Sequence, residues 1–166
     1  MLSWLKSVKN NFKMKSDSNI EILNAKQIDI MFETDNELVI YNIKKMTEII
    51  GFKLMDQAMI ATAASELTTN IIRYAKSGVI EINYIKNIEN NKRGIEIIAV
   101  DKGPGIKDID LAVKEKYTTT INSLGFGLAS VNRIMDEFYI KSELEIGTII
   151  RVRKWKKQDD ICLKIF

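Results

Sequence analysis

Residues 95–106 read I-E-I-I-A-V-D-K-G-P-G-I, an almost unbroken apolar run that ends on Asp101 and passes at once into Gly103, Pro104 and Gly105. A short apolar run bounded by glycine and proline reads as a buried strand ending in a tight turn. An aspartate at the tip of such a strand is a fixed carboxylate. The two glycines after it have no Cβ, so the backbone of Asp101-Lys102-Gly103-Pro104-Gly105-Ile106 can approach a planar ligand closely. The carboxylate could accept from an exocyclic amine such as that of adenine, although a plain Pro-Gly turn accounts for the same residues.

Working outward, Val79 to Ile85 is a second strand, joined to Ile95–Asp101 by the polar stretch K-N-I-E-N-N-K-R-G, so the two should pair as an antiparallel hairpin. Upstream, Leu54 to Ala75 carries Ile60, Ala64, Leu67, Ile71 and Tyr74 at helical spacing and stops at Lys76-Ser77-Gly78. Before it, Glu37 to Ile50 carries Leu38, Tyr41, Met46, Ile49 and Ile50, with Gly51 closing a second helix, and Gln27 to Phe32 alternates Ile28, Ile30 and Phe32 as a half-buried strand. Downstream, a short helix is expected at Ile109–Lys116 and another at Phe126–Asp136. A final pair of strands, Phe138–Ser142 and Thr148–Trp155, turns at Gly147. Hairpin-like strand spacing with irregularly interspersed helices predicts an α+β two-layer sandwich, helices on one face of a mixed, mostly antiparallel sheet.

The 166 residues, 46% hydrophobic and 28% charged, suit one globular domain with short appendages. There is no histidine, which excludes Ser-His or Cys-His nucleophile pairs, a phosphohistidine and His-ligated zinc. Acid-base chemistry falls to Asp, Glu, Lys or Tyr. The single Cys162 excludes an internal disulfide and a cysteine zinc site, and makes a reducing, cytoplasmic setting the expectation. A dispersed net charge of +3 argues against nucleic acid. No run approaches the ~18 apolar residues of a transmembrane segment, and the N-terminus lacks the unbroken apolar region of a signal peptide. Residues 1–26 read as a basic amphipathic extension: Met1, Leu5, Val8 and Phe12 recur at helical spacing among Lys6, Lys9, Lys13 and Lys15. Packing on the domain, disorder and docking to a membrane surface or a partner all remain open for it.

Two more motifs accompany the aspartate turn. Glu66 and Asn70, four apart in E-L-T-T-N, share one helix face beside the apolar stripe. A carboxylate and an amide carbonyl so placed can hold hydrated Mg²⁺ and orient an attacking oxygen, though an ordinary exposed polar face carries the same residues. Gly125-Phe126-Gly127-Leu128 leads into a helix whose first amides could meet a phosphate, although the spacing fits neither the G-x-x-x-x-G-K-[ST] loop nor G-x-G-x-x-G. The polar stretch between Gly105 and Gly125, with Thr118-Thr119-Thr120 and Asn122-Ser123, reads as a lid.

E-x-x-x-N, D-x-G-x-G, a lid, G-x-G-L and a closing G-T in this order resemble the GHKL ATPase superfamily and its Bergerat-type ATP-binding fold. Within it the chain is similar to the small anti-sigma-factor serine/threonine kinases of the RsbT and RsbW types, the stretch M-D-E-F-Y-I-K-S…G-T-I-I-R-V-R-K-W being nearest the RsbT pattern. The likeness spans 27–156 and leaves the 1–26 extension and the 157–166 tail unexplained. It implies ATP and Mg²⁺ as cofactors. Asp101 would recognise the adenine amine, Thr148 would lie in the same pocket, and Gly103, Gly105 and Ile106 would shape the adenine side. Asn70 would ligate Mg²⁺, and Glu66 would be the catalytic base or orienting carboxylate. Gly125, Phe126, Gly127 and Leu128 would offer amides to the phosphates under a lid of about Lys107 to Leu124. The implied activity is transfer of the ATP γ-phosphoryl group to a Ser or Thr of a STAS-domain anti-sigma-factor antagonist or stressosome scaffold. The alternative is a nucleotide-gated module that sequesters a sigma factor or activates a partner phosphatase by contact. A homodimer stays open.

Overall fold

The computed structural model describes residues 10, 12, 17–114 and 127–157. The other positions singled out above, namely Met1, Leu5, Val8 and the N-terminal lysines, the lid from 115 to 124, Gly125, Phe126 and Cys162, lie outside the described residues. In chain order the elements are β1 (Ile20–Ile30), α1 (Asp35–Ile50), α2 (Leu54–Asn70), a π-helical turn (Ile71–Ala75), β2 (Gly78–Asn87), β3 (Arg93–Asp101), α3 (Ile109–Val113), α4 (Gly127–Ile134), β4 (Glu137–Glu143) and β5 (Gly147–Trp155).

The strands form one sheet in the order β1-β2-β3-β5-β4. All four ladders are antiparallel, so the expected α+β layering holds but the sheet has no mixed pairing. The reason is β5: it returns by a hairpin from β4 and inserts between β4 and β3, separating the two strands that run in the same direction. β1 begins at Ile20, not Gln27, and pairs with β2 as far as Asn87, so the first strand takes in part of the stretch expected to be an extension. Its first half is apolar at Ile20, Ile22 and Leu23, but a register shift between Ile22 and Asn24 breaks the alternation there, and Ile22 and Leu23 stay exposed. The β2–β3 hairpin forms as its connection predicts, with Gly78 opposite Asp101.

The main core lies between the helices and one sheet face. Ile80, Ile82, Ile95, Ile97, Ala99, Ile150 and Val152 meet Val39, Ile43, Ile60, Ala64, Leu67, Ile71 and Val131. In α1 the buried side is Val39, Ile43, Met46 and Ile50, whereas Leu38, Tyr41 and Ile49 are exposed. Two interleaved apolar stripes run along this helix, and only tertiary packing selects between them. In α2 the predicted stripe is buried from Ile60 to Ile71. It fails at Tyr74, which is 41% exposed, because the helix widens into the π-helical turn after Asn70 and rotates the last residues out of phase.

The opposite sheet face is covered too. Phe12 is 1% exposed against Val79, Ile98, Val100 and Ile149, which accounts for β3 being buried on both faces. Beyond that patch a polar row crosses the sheet: Asn83 Nδ2 donates to Glu96 Oε1 (3.1 Å), and Arg153 donates through Nε to Glu96 Oε2 (2.8 Å) and through an η nitrogen to Asp17 Oδ2 (2.8 Å) and Glu137 Oε2 (3.2 Å). Glu96 and Arg153 are each 4% exposed, so this row stands or falls as a unit.

Candidate functional site

The sheet register places the key polar residues in one line. Gly78 on β2, Asp101 on β3, Thr148 on β5 and Ser142 on β4 are successive cross-strand partners at one end of the sheet. Alternation turns Asp101, Thr148 and Ser142 toward the helix-covered face, the face of Ala99, Ile150 and Ile140. Asp101 is half-buried and accepts from the backbone N–H of Gly103 at 2.7 Å and from that of Thr148. Burial nevertheless holds its carboxyl above the ordinary aspartate value, because desolvation outweighs the two amide donors. An ionised acceptor so poorly solvated gains by meeting a donor on a ligand.

The turn after Asp101 is wedged between two other elements. A Cβ on Gly103 would lie 2.8 Å from that of Ala75 in the π-helical turn, and Gly105, at φ 76°, would drive one into the backbone of Glu143 and Leu144. Both glycines are therefore required by close backbone approach, and at Gly105 also by a left-handed conformation. Glu145 N–H donates to Pro104 O, tying the turn to the β4–β5 hairpin.

On α2, Glu66 and Asn70 are half-buried one turn apart and face the start of α4: a Cβ placed on Gly127 would lie 3.2 Å from Glu66 Oε2 and 3.7 Å from Asn70 Oδ1. The two motifs chosen by spacing alone thus meet across one gap, where a carboxylate and an amide oxygen stand beside the first amides of a helix. Leu128 packs partly buried against the core, which anchors that helix start. Ile106 follows the wedged turn, and the described part of the expected lid, 107–114, holds the short helix α3 with Asp108 Oδ1 accepting from Leu111 N–H. Gly125 and Phe126 fall outside the described residues.

Sequence reasoning passed over Ser142. Its hydroxyl contacts Ile106 N (2.8 Å), Thr148 Oγ1 (2.8 Å) and Gly147 O (3.1 Å). The signal was available: Phe138, Ile140 and Ser142 alternate inward on β4, and a serine in an apolar register needs a polar partner.

Residues 55–158, more than half of the chain, match the model of the histidine kinase-, DNA gyrase B- and HSP90-like ATPases. The chain therefore belongs to this ATPase family, the GHKL class, which binds ATP in this fold. Within that class it is 42% identical over 112 residues to the serine/threonine-protein kinase RsbT of Bacillus subtilis (strain 168), covering 68% of this chain and 82% of that protein. It is 37% identical over 105 residues to the anti-sigma F factor of Thermoanaerobacter sp. (strain X514), covering 61% and 72%. Among solved structures, full-length ShkA in complex with AMPPNP superposes with a TM-score of 0.50 at 17% identity, over 93% of this chain and 36% of that one, a likeness of fold. The chain is thus a protein serine/threonine kinase of the anti-sigma-factor branch. Among the described residues no helix is long and apolar enough to cross a membrane.

Proposed function

We propose that the chain transfers the γ-phosphoryl group of ATP to a Ser or Thr hydroxyl on a small partner protein, a STAS-domain anti-sigma-factor antagonist or stressosome scaffold, through a kinase domain running from the first strand to about residue 156. The observation that carries this reading is the convergence of Glu66, Asn70 and Gly127 at one gap, with the Asp101–Thr148 pair at the neighbouring sheet end. Asp101 accepts from the adenine amine beside Thr148, while the turn through Gly103, Gly105 and Ile106 lets the base lie against backbone. Amides of the Gly125–Leu128 motif, whose last two residues open α4, receive the phosphates, helped by the positive end of the helix dipole. Glu66 orients or deprotonates the attacking hydroxyl.

Among the described residues no group of three or more Asp, Glu, Cys or His could cage a metal ion. Asn70 with its carboxamide oxygen fits a different arrangement, in which Mg²⁺ is held mainly by phosphates and water and by one or two protein oxygens. Bound there, Mg²⁺ would neutralise charge on the phosphates. The protein's own contribution is then placement and fixed dipoles, as phosphoryl transfer requires.

Glu66→Gln tests the reading. The substitution keeps the size of the side chain on a helix anchored by Ile60, Leu67 and Ile71, so folding and ATP binding should persist. Radiolabel transfer from γ-labelled ATP to the co-purified partner should fall about 10²–10⁴-fold. Transfer at the wild-type rate would remove Glu66 from the mechanism. Nucleotide-dependent partner binding with no transfer even in wild type would favour the sequestering module, the reading to which the anti-sigma F relatives also lend support.

A further inference from the structure

The cross-strand row ends on Ser142, and its hydroxyl has three polar neighbours but only one proton and two lone pairs. Ile106 N–H takes one lone pair at 2.8 Å. Gly147 O, 3.1 Å away, can only accept, and Thr148 Oγ1 at 2.8 Å can do either. All three contacts become hydrogen bonds in one arrangement alone: Ser142 donates its proton to Gly147 O, and Thr148 donates its own proton to Ser142 Oγ. Thr148 Oγ1 then has lone pairs and no proton left for the space beside Asp101.

We propose that Ser142 is a positioning residue that sets base specificity, because it holds the Thr148 hydroxyl as an acceptor next to the Asp101 carboxylate and so tunes the pocket to an exocyclic amine. Asp101 and Thr148 are cross-strand partners on the same side of the sheet, so both acceptors would face a base bound there. The amino group of adenine offers two hydrogens to them. The carbonyl oxygen at the same position of hypoxanthine or guanine would set acceptor against acceptor. Through Ile106 the same hydroxyl also pins the end of the Asp101–Ile106 turn to β4, so the floor and the edge of the pocket move together. Without Ser142 the Thr148 hydroxyl is free to rotate and to donate, and the penalty against a carbonyl falls.

This inference rests on the nucleotide-binding reading, and the test keeps the two apart. The full chain is titrated calorimetrically with ATP and with inosine triphosphate, each with Mg²⁺, as wild type, Ser142→Ala and Ser142→Thr. Wild type should prefer ATP. Ser142→Ala should lose about 5- to 10-fold in ATP affinity, the worth of one hydrogen bond, while inosine triphosphate changes less than about twofold, so that discrimination narrows. Ser142→Thr keeps the hydroxyl and should hold the ratio within about twofold of wild type. An equal loss for both nucleotides would mark a merely structural serine and overturn the inference, as would an unchanged ratio in Ser142→Ala. Wild type that binds neither nucleotide would overturn the nucleotide reading itself.

Discussion

Replacing Asp101 by Asn tests the proposed base contact at its centre, and linkage to ATP sets the size of the effect. ATP at about 100 times its Kd should stabilise the wild-type fold by about 2.7 kcal/mol, which for a chain of this length is a rise in Tm of about 5–11 °C. The carboxylate accepts from Gly103 N–H at 2.7 Å and from Thr148 N–H, which leaves lone pairs for a ligand amine. Asn turns an amide NH₂ toward that amine. Losing the charged acceptor costs about 1.5–3 kcal/mol of affinity, or about 12- to 150-fold. The same ATP concentration is then about 0.7–8 times Kd, and protection shrinks to about 0.3–1.3 kcal/mol, a rise of about 1–5 °C. The ligand-free fold is a built-in control. Burial raises the Asp101 pKa, so the folded state disfavours the charge, and the neutral amide removes that penalty as it weakens the two backbone hydrogen bonds. These effects oppose each other, and the apo Tm should stay within about 3 °C of wild type. The assay is a thermal melt of both proteins with and without Mg²⁺-ATP. Full protection of Asp101→Asn, or no protection of wild type by millimolar ATP, would refute the assignment.

Three further outcomes concern the fold behind the site. Arg153→Leu leaves Glu96 buried with Asn83 as its remaining side-chain hydrogen-bond partner among the described residues, which should cost about 3–5 kcal/mol and lower Tm by about 6–20 °C, and adding Glu96→Leu should recover most of the loss in the same melt. Phe12→Ala should cost up to about 3–5 kcal/mol because Val79, Ile98, Val100 and Ile149 lose their cover, and a Tm equal to wild type would show that the N-terminal segment contributes nothing to the domain. The Asp17 carboxyl is held below its ordinary value, first by the hydrogen bond from Arg153 and then by Asn19 N–H. A depressed folded pKa contributes stability that is present above the unfolded value of 3.8 and lost as pH falls below it, so Asp17→Asn should flatten the acid limb of a denaturant-midpoint profile below about pH 4.

Much of the candidate site was legible in the sequence, because its parts are local. The apolar run into Asp101, the glycines after it, the i,i+4 pair Glu66 and Asn70 and the glycines leading into α4 each declare a backbone shape within a few residues. The hairpin from β2 to β3 and the helix from Leu54 follow from short-range patterning in the same way. What spacing alone left open was which of these parts meet. Gly127 stands beside Glu66 because α2 packs against α4, and Asp101 stands beside Thr148 because β5 inserts next to β3, contacts between residues dozens of positions apart. The same long-range pairing makes the sheet wholly antiparallel and selects the Val39–Ile43–Met46–Ile50 side of α1. It also seats Phe12 on the outer face and sets Ser142 against both Ile106 and Thr148. Sequence determines the local conformations, each of which depends on a few neighbouring dihedrals. The partners of a buried hydroxyl or an apolar face depend on the packing of the whole sheet, and only the tertiary structure decides them.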